Sequence, residues 1–157
     1  MPTLFADLAT LRTLNSTDPH IDRELKSKLK AAELLIQQPD VTDIAITLDR
    51  FAKYDILVMS AGTRTAIELK ARSKEFEDHY LEAIKLDGFK TINRKIQHVI
   101  YMAMTEGKEN AFLWPLGGWT GEHERWCSKS QREPEKRVLK RFVSYPTSSA
   151  QVIKAKA

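Results

Sequence analysis

The amino-acid sequence predicts an α/β domain with a central mixed β-sheet flanked by helices, in the order αβββαββ. Three observations carry this reading. A helical apolar stripe opens the series, three strand-like segments follow it, and a second helical stretch leads into two more strand-like runs. The length of 157 residues suits a single domain, with a core over 20–116 and a basic extension over 117–157.

The first helix is read from "DPHIDRELKSKLKAAELLIQQPD" (18–40). Asp18 can cap it, Pro19 suits its first turn, and Pro39 stops it. Ile21, Leu25, Leu29, Ala32 and Ile36 recur at helical spacing, which marks a stripe facing a core. "DIAITL" (43–48) alternates as a strand does, and "DILVM" (55–59) and "RTAIEL" (64–69) read as two more. Between the last two stands "SAGT", a hairpin connection carrying Gly62. The second helical stretch is expected over 76–95, interrupted at Gly88, before the strands "HVIYMAMT" (98–105) and "NAFLWPL" (110–116). Residues 117–135 show no clear period, and "RVLKRFVSY" (137–145) reads as a late strand.

Composition narrows the function classes. Hydrophobic residues make up 42% and charged residues 29%, the balance of a folded soluble chain. No apolar run approaches the roughly 20 residues of a membrane span, and the first residues lack the pattern of a signal peptide. Cys127 is the only cysteine, so an internal disulfide and a cysteine zinc cluster are excluded. The expectation is an intracellular, cytoplasmic protein with no membrane partner. The net charge is +4, and residues 122–157 supply all the excess, with nine Lys/Arg against four Asp/Glu. Such a stretch can hold phosphates, and it can equally be a solvated surface segment. The chain has no Walker loop, G-x-S-x-G or G-x-G-x-x-G. His20, His79, His98 and His123 lack metal-ligand spacing. Trp119 and Trp126 are candidates for base stacking, while Trp114 reads as core.

The chemistry concentrates in the hairpin. A loop at Ala61-Gly62 pairs positions whose numbers sum to 123, so Leu57 faces Ala66 and Asp55 faces Glu68. Lys70 lies two residues beyond Glu68 and projects from the same face. Ile56, Val58, Ile67 and Leu69 cover the other face. Two close carboxylates repel unless a cation lies between them, and hard oxygen donors with open positions suit Mg²⁺. A protonated lysine is no ligand, but it can orient a water or neutralise a phosphate. The set makes sense as metal-assisted phosphodiester hydrolysis. A Glu–Lys pair on a solvated sheet face, by contrast, needs no function at all.

These residues resemble the PD-(D/E)XK nuclease superfamily, the restriction-endonuclease-like fold that includes Holliday-junction resolvases and small phage nucleases. Its signature is an acid on one strand and E-x-K on the next, behind a helix that often bears a glutamate. Asp55 matches the first acid and Glu68-Leu69-Lys70 the second half, while "KYD" stands where a proline would precede the acid. The element order over 20–116 resembles the family core. The resemblance implies a Mg²⁺-dependent deoxyribonuclease of small phage type, with Mn²⁺ as a substitute; if phage-encoded, its compartment would be the host cytoplasm. It implies Asp55, Glu68 and the Leu69 carbonyl as metal ligands, with Lys70 assisting the water.

From the first helix, Glu24 is the preferred supporting residue and Glu33 the alternative, and both also read as solvated charges. Lys85 and Tyr80 lie where the family often carries an extra basic or polar group. Arg72, Lys85, Lys136, Arg137, Lys140 and Arg141 are the candidate contacts to nucleic acid. DNA is the expected partner, RNA stays open, and related enzymes are commonly homodimers. Two other readings stand beside the nuclease. One is an inactive nucleic-acid-binding module on this fold, and the other is a protein-interaction module with a structural ion cluster.

Overall fold

The computed structural model describes residues 5–6, 19–47, 52–89, 95–130 and 132–155, with side chains from residue 24 onward. Asp18, the expected cap, and Leu48 lie outside the described residues, as do residues 90–94 of the expected second helix. Ile21 and His20 are described in backbone only.

Strand β1 (Phe5–Ala6) precedes helix α1 (Pro19–Ile36), and β2 (Val41–Thr47), β3 (Ile56–Ser60) and β4 (Thr63–Arg72) follow. Next come β5 (Asp78–Glu82), α2 (Ala83–Phe89), β6 (His98–Thr105) and β7 (Asn110–Pro115). The chain ends with β8 (Gly121–Ser128), β9 (Arg137–Pro146), a 3₁₀ turn (Thr147–Ser149) and β10 (Gln151–Lys154). The expected αβββαββ order is present, and the strands form a central mixed sheet in the order β1-β2-β3-β4-β6-β7-β10. Among the described residues only β4 and β6 run parallel, joined by the crossover that contains β5 and α2; the other neighbours in this sheet are antiparallel. A second sheet, β5-β9-β8, is hydrogen-bonded separately from the first.

Two corrections concern local pattern. Residues 78–82, expected as helix, form strand β5, because buried His79 and Leu81 alternate with half-buried neighbours at period two. The helix is confined to Ala83–Phe89, with Gly88 inside it. On α1, Ile36 is 38% exposed and does not join the buried stripe. The stripe runs through Leu25, Lys28, Ala32 and Leu35, at three- and four-residue spacing, and Ile36 has rotated past it. A lysine thus occupies a core-facing position.

Each face of the central sheet has its own core. Ile44, Ile46, Ile56, Val58, Ile67 and Leu69 pack with Ala31, Leu34 and Leu35 of α1. On the opposite face Tyr101, Phe112 and Trp114 pack with Leu81, Val143 and Tyr145 of the second sheet. The sequence signature of this layer is aromatic, and burying each large side chain contributes about 1.5–3 kcal/mol.

That second core contains a misfit. His79 is 1% exposed, with ring centroids of Phe76, Phe112 and Trp114 at 6.0, 5.9 and 5.4 Å. Neither ring nitrogen has a hydrogen-bond partner among the described residues. Burial first, and the Arg72 charge second, lower its pKa from the ordinary 6.5. The unfolded chain therefore takes a proton that the folded chain refuses, and stability falls as pH drops through 6.5. His79→Phe keeps a planar ring without the two unpartnered nitrogens. It is expected to stabilise the fold by about 1 kcal/mol. Thermal melts at about pH 5.5 and pH 8 should show a larger gain at the lower pH.

Candidate functional site

The hairpin sets the site. Its turn is Ala61-Gly62, both at positive φ (49° and 83°), which matches the twist of a two-residue hairpin loop. The resulting register pairs Ile56 with Ile67, Leu57 with Ala66 and Met59 with Arg64, the sum of 123 expected from the sequence. Asp55 lies one residue before β3 and departs from the ladder. Its N–H donates to the Ile67 carbonyl at 2.8 Å although Ile56 is the residue opposite Ile67, and its carbonyl accepts from Thr47 at 2.9 Å. This irregular step carries the Asp55 carboxylate past Glu68, so that Oδ2 accepts the Leu69 N–H at 2.7 Å. Asp55 is thereby fastened to the middle residue of Glu68-Leu69-Lys70.

Glu68 is 3% exposed, on the sheet face that also carries Tyr101, its partner across the β4–β6 ladder. Its Oε1 accepts from Lys85 Nζ of α2 at 2.7 Å. Its pKa is raised to about 7, by burial first and by the Asp55 charge second, against the downward pull of Lys85 and Lys70. Lys70 is held below the usual lysine value by burial and by the Lys85 charge, against the attraction of Glu68 and Asp55. Lys85 feels opposed pulls. Burial is the largest single one and lowers its pKa, but Glu68, Asp55 and Glu82 together outweigh it and the net shift is upward. Asp55, Glu68, Lys70 and Lys85 thus form one electrostatic unit.

The residue that α1 delivers to this unit is Lys28. It is 5% exposed, donates to the Thr47 carbonyl at 2.9 Å and to Thr47 Oγ1 at 3.3 Å, and pairs with Asp55 Oδ1 at 3.5 Å. Sequence reasoning missed it because a lysine on a helix is normally solvated. Its place in the apolar stripe was the available signal. Glu24 lies one helical turn before Lys28 on the same side of α1 and is exposed. Glu33 lines a separate groove with Lys30, Gln37, Glu109 and Ala155.

The candidate nucleic-acid contacts are dispersed. Lys85 is in the cluster on Glu68. Arg72 is half-buried and donates to the Tyr80 carbonyl at 3.1 Å, which also accepts from Tyr101 Oη at 3.1 Å. Lys136, Arg137, Lys140 and Arg141 lie on β9 or at its foot. They contact Glu133 at 2.6 Å, the Trp126 carbonyl at 3.0 Å, Glu82 at 3.1 Å and Glu122 at 3.3 Å respectively.

Two carboxylates and a backbone carbonyl are hard oxygen donors, the set that suits Mg²⁺ or Mn²⁺. Among the described residues no group of three His, Cys, Asp or Glu side chains gathers as a metal site. A cation here would therefore draw its remaining ligands from water or substrate. Burial of Glu68, with the Asp55 charge beside it, also makes a pH-dependent signature. Without metal, folded Glu68 keeps its proton up to about 7, whereas the unfolded carboxyl releases it near the ordinary 4.5. The folded state then binds more protons between these values, so its stability falls as pH rises through about 7. In EDTA the melting temperature of the parent relative to Glu68→Gln is expected to decline across that window, since the opposing contribution of His79 is common to both proteins.

No protein-family model and no curated protein matches the chain. Among solved structures it is similar to that of Archaeoglobus fulgidus Hjc, a Holliday junction resolvase from an archaeal hyperthermophile. The identity is 17% and the TM-score 0.49, over 76% of this chain and 88% of that one. Among the described residues no helix is long and apolar enough to cross a membrane.

Proposed function

We propose that this chain is a divalent-metal-dependent nuclease of the PD-(D/E)XK type that hydrolyses DNA phosphodiester bonds. The observation that carries the reading is the hydrogen bond from Leu69 N–H to Asp55 Oδ2, which locks an acid against the E-x-K strand beside a buried glutamate. In an extended strand a residue's N–H and C=O point to the same side. The Leu69 carbonyl then faces the gap that Asp55 occupies, and Asp55, Glu68 and that carbonyl would hold Mg²⁺ or Mn²⁺. When bound, the metal would supply charge stabilisation to the phosphoryl group and acidify an attacking water.

The protein's own groups have separable tasks. Lys70 emerges from the same face as Glu68 with its pKa lowered, so it can take or hold a proton at the attacking water. Lys28 neutralises Asp55 and fixes it against Thr47. Lys85 offsets the Glu68 charge, and its ammonium could also contact a phosphate beside that carboxylate. Glu24, exposed one turn from Lys28, stands at the margin and would support the site through solvent.

The test is incubation of the purified protein with plasmid, linear, single-stranded and four-way-junction DNA, in Mg²⁺, Mn²⁺ or EDTA. Metal-dependent cleavage of any of these supports the proposal, and the panel identifies the substrate class. Metal-independent binding without cleavage would favour the inactive module.

A further inference from the structure

The register of β8 on β9 divides the basic residues of this region between two faces. Glu124 pairs with Arg141, Trp126 with Leu139 and Ser128 with Arg137 on one face. His123 pairs with Phe142, Arg125 with Lys140 and Cys127 with Val138 on the other. The same alternation puts Lys129 and Lys136, joined by a 2.7 Å backbone hydrogen bond, on the second face. Charge follows this division. The first face balances Arg137 and Arg141 against Glu122 and Glu124, and it exposes Trp126 and Leu139. The second gathers Arg125, Lys129, Lys136 and Lys140 against Glu82 and the turn residue Glu133.

The second face also leads to the cluster. Lys140 Nζ meets Glu82 Oε1 at 3.1 Å, Glu82 attracts Lys85, and Lys85 meets Glu68 at 2.7 Å. Arg125 is held over the rings of Tyr80 and Phe142, with its guanidinium carbon 4.8 and 4.7 Å from their centroids. Strand β5 pairs with β9 only over Phe142–Pro146, so the ribbon beyond it has no third strand among the described residues. Five residues of such a ribbon project by about 17 Å.

We propose that the face bearing Arg125, Lys129, Lys136 and Lys140 is a phosphate-backbone track that guides nucleic acid toward Glu68. The opposite face, with Arg137, Arg141, Trp126 and Leu139, takes no part in it. This rests on the nuclease reading for the direction of the track, but it is tested by binding alone.

The experiment compares two charge-matched double variants, Lys136→Gln with Lys140→Gln and Arg137→Gln with Arg141→Gln. Each is titrated with a mixed-sequence 20-base-pair duplex in EDTA over a series of salt concentrations. The first pair should reduce the slope of log K against log salt by up to about 1.8, at about 0.9 per lost contact. The second pair should leave the parent slope unchanged. Lys136→Gln alone, at an exposed site, should reduce it by up to about 0.9 and guards against misfolding of the double variant. Equal losses in both pairs, a larger loss in the arginine pair, or no duplex binding by the parent protein overturns the track. Face-dependent slopes in a protein that cleaves nothing would leave the track standing and remove the nuclease. Cleavage with face-independent slopes would do the reverse.

Discussion

Lys70→Met is expected to lower metal-dependent DNA cleavage by about 100- to 10,000-fold, the range for loss of one positioned acid–base group. Methionine keeps most of the apolar stem and removes the amine whose pKa is lowered by burial and by Lys85. Metal binding should survive, because the lysine is no ligand. Raised Mg²⁺ should therefore not rescue the variant, whereas it should partly rescue Asp55→Asn, which weakens a ligand. Single-turnover cleavage across a metal titration separates the two behaviours. A Lys70→Met protein that cleaves like the parent would leave the lysine without a catalytic role.

Lys28→Met is expected to destabilise the fold by about 3 kcal/mol, because it breaks a buried charge pair and leaves its acceptors behind. Its side chain is 7% exposed and that of Asp55 19%, so water compensates little. The Thr47 carbonyl and hydroxyl lose a donor as well. Asp55→Asn in the same background should recover part of the loss, since it removes the charge that Lys28 left unpaired. Denaturant unfolding of the two single variants and the double variant in EDTA measures that coupling. Strictly additive effects would mean that Lys28 serves Thr47 and not Asp55.

The contrast between these two lysines shows what the sequence reveals. The hairpin was legible because a two-residue loop fixes the register, and register fixes which charges share a face. Local arithmetic therefore reached Glu68 and Lys70. It placed Asp55 directly across from Glu68, but the step out of the ladder moves its carboxylate to Leu69 N–H. Lys28 required a different inference, that a lysine in an apolar stripe has been drawn inward by a carboxylate 27 positions later in the chain. Nothing local specifies that partner. The strand β5 was hidden because five residues alternating beside a short helix read as part of that helix. The pairing of β10 with β7 and of β9 with β5 is long-range, set by which faces are left to cover once the central sheet has formed.

The central claim is that Asp55 and Glu68 act together as a divalent-metal site. Titration of the parent protein, Asp55→Asn and Glu68→Gln with Mn²⁺, followed by calorimetry without DNA, tests it most directly. The parent should bind saturably, more tightly as pH rises through about 7 where Glu68 loses its proton. Each variant should lose at least about 10-fold in affinity. Equal Mn²⁺ affinity in all three proteins, or no saturable binding by the parent, would contradict the account.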